Sequence, residues 1–257
     1  MGKWCLITGA SGGIGAALAR EAAGAGFDLV LSGRDTARLD GLAKELRGIG
    51  REAVCIAADL AQPGAAEALW REASAGREID ILMNNAGLGI HGPVQAPAIR
   101  AQVRATVAVN VVAMTELLML AAEDMAARGH GRILNVSSSA AFMPGPGMAS
   151  YHAAKAFSLY LSEAAAVDLK GSGVSVTALC PGPTATGFFD VAEMGGVMAL
   201  RFLPKATAQA IARAGWSGLM RGKRVVVPGL LYKLIAFSTR FTPRPVLLWS
   251  AKLFWRK

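Results

Sequence analysis

Lys3-Trp-Cys-Leu-Ile-Thr8-Gly-Ala-Ser-Gly-Gly-Ile-Gly15-Ala-Ala-Leu-Ala-Arg20 is the stretch from which the fold follows. An apolar run over 3–7 breaks at a cluster of glycines, and a helical pattern over 13–24 begins inside that cluster. A buried strand that turns directly into a helix is the opening unit of an alternating β/α chain. Glycines allow a tight turn and a close backbone approach, while the helix start offers N–H groups and the positive end of its dipole. Gly9, Ser11, Gly12, Gly13, Ile14 and Gly15 therefore form a candidate cradle for the pyrophosphate of a dinucleotide.

The alternation continues along the chain. Apolar, β-branched runs predict strands at 28–32, 52–57, 79–83, 131–137, 174–180 and 223–227. Helical patterns fall between them at 35–48, 64–75, 97–127, 150–170 and 206–219. Asp35 reads as an N-cap, and Gly48 and Gly50 as the stop of the same helix. The expectation is one domain over 1–257: an α/β, Rossmann-type, doubly wound sheet of seven mainly parallel strands. At 257 residues, 53% hydrophobic and 18% charged, the chain can cover such a sheet with helices on both faces. The stretch 183–205 has weak periodicity and is rich in Gly, Met and Phe, and it reads as an apolar substrate lid.

Composition sets further expectations. Cys5, Cys55 and Cys180 are odd in number, widely spaced and embedded in apolar runs, as reduced core residues are. With three histidines and no Cys-x-x-Cys pattern, no protein-bound metal is expected. The sequence starts inside a strand, which leaves no room for a signal peptide. No uninterrupted apolar run reaches the ~18 residues of a membrane span. A cytoplasmic location follows as an expectation. The formal charge of +9 is unevenly spread: 201–257 hold 12 Lys or Arg and no acid, leaving 15 basic and 18 acidic residues, a net of −3, in 1–200. The excess charge belongs to one segment, so a general nucleic-acid coat is not expected.

Tyr151 and Lys155 are four apart, so on a helix they share one face. A phenol is a poor proton donor at neutral pH, and a nearby ammonium is expected to lower its pKa and make it a usable general acid or base. Ser138, thirteen residues upstream at the end of an apolar run, could hydrogen-bond the same substrate oxygen. Together with Thr8–Gly15 and Asn84-Asn-Ala-Gly87, this set resembles the short-chain dehydrogenase/reductase family over 3–227.

The resemblance implies a catalytic tetrad of Asn110, Ser138, Tyr151 and Lys155, with Asn110 kinking its helix and maintaining a proton relay to Lys155. Ser138 is taken from three consecutive serines by its spacing to the tyrosine, with Ser139 the alternative. Asn85, Ala86 and Gly87 would lie along the cofactor, and Pro181, Gly182, Thr184 and Thr186 would contact the nicotinamide. Tyr151 and Lys155 would also touch the cofactor. Asp59 and Leu60 occupy the adenine position, although Asp59 is equally a turn or capping residue. Arg34, with no acid at Ser32 or Gly33, favours the 2′-phosphate of NADP(H); Ser11 and Gly12 stand where the family often has a second basic residue, so NAD(H) remains open.

The implied activity is hydride transfer between a hydrophobic ketone and a secondary alcohol: a 3-oxoacyl chain, a steroid-like ring or an aryl ketone. Substrate contacts are expected from Ser138, Tyr151, His91, Phe188 and Phe189, and the family points to a homodimer or homotetramer. The alternative is a non-catalytic dinucleotide-binding regulatory protein of the same fold. Beyond the sheet, 228–257 form a basic amphipathic extension with apolar residues at helical spacing and interspersed Lys and Arg. It either packs over the pocket or a subunit, or makes weak peripheral contact with a membrane.

Overall fold

In strand β1 (Trp4–Thr8) every residue is buried. Cys5 and Ile7 enter one apolar cluster, and Trp4 and Leu6 enter another. That alternation is the period of a strand covered on both faces. The computed structural model describes residues 2–186 and 205–254. On one side β1 pairs with β2 (Asp28–Gly33), which pairs with β3 (Ala53–Ala57). On the other it pairs with β4 (Ile79–Asn84), followed by β5 (Gly131–Val136), β6 (Val174–Leu179) and, at the edge, the short strand Val225–Val226. All seven are parallel, and the strand order reverses between β1 and β4.

Helices α1 (Gly13–Gly24) and α2 (Thr36–Gly48) cover one face, joined there by the later helix Ala208–Met220. The other face carries α3 (Ala65–Ser74), a long helical stretch from Pro97 to Arg128, and part of the helix Ala149–Asp168. The long stretch consists of α4 (Arg100–Val107), a π-helical segment Ala108–Ala113 and α5 (Met114–Arg128). By length and composition it could cross a membrane, although its apolar residues are interrupted as the sequence reading notes. Here Val109, Ala113, Leu117, Leu118, Ala121 and Met125 are buried in the core instead. Ala149–Asp168 is α6 and Ala208–Met220 is α7. Two short helices end the described chain, α8 (Leu230–Ser238) and α9 (Arg244–Phe254).

The expected strands and sheet-covering helices fall within a few residues of their observed bounds, and Asp35 caps α2 by accepting from the Arg38 N–H at 3.1 Å. Three features were not anticipated: the π-helical segment itself, a 3₁₀ turn at Ser139–Phe142, and a two-stranded parallel pair, β7 (Thr184–Ala185) with β8 (Ala206–Thr207). The edge strand Val225–Val226 completes the count as β9. The expected lid largely coincides with 187–204, which lie outside the described residues, as do Phe188 and Phe189. Cys5, Cys55 and Cys180 are all free thiols.

Under the cleft described below, a buried polar chain ties the sheet to two helices. The Asn84 amide donates to the Met114 carbonyl and to Asn135 Oδ1, both at 3.1 Å, and Asn135 donates to Ser162 Oγ at 2.9 Å. Asn135 and Ser162 are fully buried, so none of these groups can turn to water instead. Asn84→Ala should therefore lower the unfolding free energy by about 1–3 kcal/mol, because it strands buried acceptors. Urea unfolding checks this; a change within ~0.5 kcal/mol would mean that the network is not coupled to the fold.

Candidate active site

The carboxyl ends of β1 and β4 diverge where the strand order reverses, and a cleft of about 650 Å³ opens there. Its near wall is the glycine turn. Gly9 and Gly13 have φ of +66° and +54°, a region that favours glycine. A Cβ on Gly15 would stand 2.2 Å from the Gly9 carbonyl oxygen, so that glycine closes the turn and is not itself among the cleft-lining residues. Gly12 faces open space, and α1 begins there with no side-chain cap and no acidic residue in its first turn. Its starting N–H groups and dipole thus suit a pyrophosphate, and the residues present fit a dinucleotide.

Ser11, Gly12, Gly13, Ile14, Arg34, Asp59, Leu60, Ala86 and Gly87 all line this cleft. Asp59 also holds its own turn: its carboxylate accepts from the Ala61 N–H and from Gln62, which with the charge of Arg34 keeps it below the usual carboxylate range. Asn85 lines the cleft too, but its amide donates to the carbonyls of Thr8 and Gly9 at 2.9 and 3.1 Å. Its side chain is engaged in holding the glycine turn. Arg38, missed in the sequence, joins Arg34 on the wall from the first turn of α2 and pairs with Asp35 at 3.2 Å.

The far wall begins at the end of β5, where the three serines separate. Ser137 is buried and donates to the Lys155 carbonyl at 2.8 Å. Ser138 accepts from the Ala140 N–H at 3.1 Å and, lining the cleft with Tyr151, acts to lower that residue's pKa. The Ser139 N–H donates to the Pro181 carbonyl at 2.8 Å, tying this loop to the segment after β6. Pro181, Gly182, Thr184 and Thr186 follow along the cleft, and Thr186 reaches back over Gly13, where a Cβ would lie 3.1 Å from it. Gly182 is covered by Tyr232 of α8, whose ring would be 2.4 Å from a Cβ there. Tyr232, Ile235, Leu247 and Ala251 of the C-terminal segment, with Met143 and Met148 of the Ser139–Ala149 loop, give the far wall its apolar surface, and Ser238, Thr239, Thr242 and Ser250 set hydroxyls among them. The expectation that 228–257 pack over the pocket anticipates these helices, though apolar spacing alone does not mark which of their residues face it.

Tyr151 and Lys155 lie on one face of α6, with Nζ 5.8 Å from the tyrosine ring centroid. Nζ donates to the Val136 carbonyl at 2.7 Å. The expected lowering of the tyrosine pKa is not found. The cleft walls desolvate the hydroxyl although part of the ring is exposed, and burial pushes Tyr151 up to about 12 against the pull of Ser138. Burial also pushes Lys155 down to about 8, only partly countered by Cys180, so its charge is itself weakened. Asn110 sits in the π-helical segment, off the cleft surface, and clasps Leu88: its Oδ1 accepts from that residue's N–H and its Nδ2 donates to that carbonyl, both at 2.8 Å. Its Oδ1 and the Lys155 Nζ converge on Gly87, 3.5 and 3.4 Å from a Cβ there. His91 is not brought to the cleft wall; its ring packs against Gly147.

A metal was not expected. Glu78, Asp80 and His130 do gather their ligand atoms within 4.8 Å on the surface, but His130 bonds Glu78 at 2.8 Å and Arg128 lies 3.6 Å from that same carboxylate. This is an ion-pair cluster at the amino ends of β4 and β5, whose carboxyl ends carry the cleft.

A glycine cradle at a strand reversal, facing a Ser-Tyr-Lys cluster, decides the kinship. The short chain dehydrogenase family model matches residues 3–194. The chain belongs to the short-chain dehydrogenase family. Very-long-chain 3-oxoacyl-CoA reductase-A of Danio rerio is 32% identical over 190 residues, 72% of this chain and 59% of that protein. The 7beta-hydroxysteroid dehydrogenase of Collinsella aerofaciens is 34% identical over 186 residues, covering 72% and 70% of the two chains. A short-chain dehydrogenase from Sphingobium yanoikuyae, solved in complex with NADPH, superposes with a TM-score of 0.83 at 33% identity over 93% of each chain. The chain thus spans about six-tenths of the length of the 3-oxoacyl-CoA reductase it resembles.

The buried lysine makes a pH-linked prediction. Its folded pKa of about 8 lies below the ~10.4 of an unfolded lysine. Below about pH 8 both states hold the proton and the fold bears the whole cost of the buried charge. Between about 8 and 10.4 only the unfolded chain stays protonated, so stability rises with pH. Relative to Lys155→Met, wild type should gain up to about 3 kcal/mol between pH 7 and pH 10 in urea unfolding. A pH-independent difference would show that Lys155 is not held in a desolvated site.

Proposed function

We propose that this short-chain dehydrogenase is an NADP(H)-dependent oxidoreductase that reduces a ketone on a bulky apolar skeleton to a secondary alcohol. The observation that carries this reading is that Ser138, Tyr151 and Lys155 line one cleft together with the glycine cradle and a mainly apolar far wall. When bound, reduced nicotinamide supplies the hydride taken up by the carbonyl carbon. Ser138 and Tyr151 hold the carbonyl oxygen between two hydroxyls, and Tyr151 Oη gives it the proton. A tyrosine pushed up to about 12 is a phenol at neutral pH and a weak acid, so donation depends on the negative charge that develops on the carbonyl oxygen in the reaction. Lys155, one turn below, supports the phenolate formed on transfer and is placed to hold sugar hydroxyls. Asn110 keeps the Gly87–Leu88 backbone in position beside that lysine.

Arg34 and Arg38, both exposed at the cleft rim, support preference for a 2′-phosphate, and no acid in β2's end opposes it. The apolar far wall favours a hydrophobic substrate. The named substrates of the similar proteins, 3-oxoacyl-CoA and hydroxysteroid compounds, share a ketone or alcohol on a large apolar body. A homodimer or homotetramer is part of the same proposal.

Two measurements test it. Tyr151→Phe should reduce ketone turnover by about 10²–10⁴-fold with little change in NADPH affinity, since only the donor is lost. Retention of more than about a tenth of turnover would remove Tyr151 from the chemistry. Arg34→Asp should weaken NADPH binding about tenfold or more and improve NADH binding, read by fluorescence titration. Equal wild-type affinity for the two would make Arg34 a surface charge only.

A further inference from the structure

Helices α8 and α9 bury one face and expose the other. Tyr232, Ala236, Leu247 and Ala251 are buried, and Tyr232, Leu247 and Ala251 line the cleft. On the outside, between Leu230 and Leu253, nine large apolar side chains are exposed, among them Leu230 at 72%, Phe241 at 73% and Trp249 at 69%. The Phe237 and Phe241 rings meet edge to face at 5.1 Å and form a raised aromatic pair. Lys233 on α8, Arg240 on the turn between the helices, and Arg244 and Lys252 on α9 are exposed, and no acidic residue occurs anywhere in 201–257. Isolated exposed apolar residues are ordinary, but nine within 24 residues are not.

The charge decides which partner fits. A twofold contact with a second copy would lay this face on itself and set lysines and arginines against one another with no acid to pair them. An anionic, apolar and shape-tolerant surface satisfies both features. We infer that α8, α9 and the turn joining them form a docking surface for an anionic phospholipid bilayer, with Leu230, Leu234, Phe241 and Trp249 entering the acyl boundary and the basic residues meeting headgroup phosphates. The protein then sits on the membrane peripherally, and because the inner faces of the same helices wall the cleft, the cleft lies against the lipid. Docking does not depend on the reaction proposed above, and it is read without any turnover.

The test is flotation of the full chain with vesicles of phosphatidylcholine alone or mixed with phosphatidylserine, at low and high salt. Wild type should float with the anionic vesicles, at least about tenfold better than with neutral ones, and should be released by salt. Replacing Lys233, Arg240 and Lys252 together by Gln should weaken partitioning about a hundredfold, given a factor of about five for each basic residue at an anionic surface. Phe241→Ser with Trp249→Ser should lose at least about tenfold while unfolding at the wild-type midpoint. The charge variant and the salt response of wild type carry the test if the aromatic variant does not fold. Absence of flotation at low salt overturns the inference, as does equal binding to neutral vesicles. So does a fall in solution mass on Phe241→Ser with Trp249→Ser, which would assign this face to a second copy.

Discussion

Thr8 and Asn85 clasp β1 to β4 at the point where the sheet reverses, and the rest of the site hangs on that clasp. Thr8 Oγ1 accepts from the N–H groups of both Asn85 and Ala86 at 3.0 Å, while the Asn85 amide returns two bonds to the carbonyls of Thr8 and Gly9. The crossovers leave β1 and β4 toward opposite sides of the sheet, so no helix fills the gap between their ends. The clasp holds the glycine turn on one lip and the Asn84–Gly87 segment on the other. Gly15 can then approach Gly9 closely, and Gly87 can bring the backbone to within reach of Lys155 and Asn110.

Facing this rigid edge is a site governed by desolvation. Tyr151 and Lys155 are moved away from charge, the tyrosine up and the lysine down, because the cleft walls cost each its hydration. At neutral pH Tyr151 is therefore a phenol beside a Lys155 that is still mostly an ammonium, and not a standing phenolate–ammonium pair. Such a site suits proton delivery to a carbonyl oxygen, where negative charge develops only as the hydride arrives.

The sheet was legible because period-2 burial and glycine punctuation are local signals, and each strand carried them independently. The glycine cradle and the Tyr151–Lys155 spacing were legible for the same reason. Choosing among Ser137, Ser138 and Ser139 needed the turn that sends Ser137 toward the backbone of α6 and Ser138 toward Tyr151. The direction of the Tyr151 shift also lay beyond the sequence, since proximity of an ammonium can be read from spacing but the desolvation that outweighs it cannot. Asn85 illustrates a third limit. Its place in the motif was visible, but that its amide is bonded to Thr8 and Gly9 depends on strands 77 residues apart. Tyr232 and Arg38 were passed over because nothing local marks an apolar helix residue or an i+4 arginine as part of a distant cleft. His91 failed in the opposite way, as a polar residue near a motif whose ring turns to Gly147.

The central claim is that this cleft reduces ketones and does more than hold a dinucleotide. It is met most directly by following reduced-nicotinamide absorbance while the wild-type chain is given NADPH and a panel of bulky apolar ketones. Consumption of NADPH that requires ketone, saturates with it and yields the secondary alcohol is the predicted result. Tight NADPH binding with no ketone-dependent consumption across the panel would contradict the claim and leave a binding protein built on the same fold.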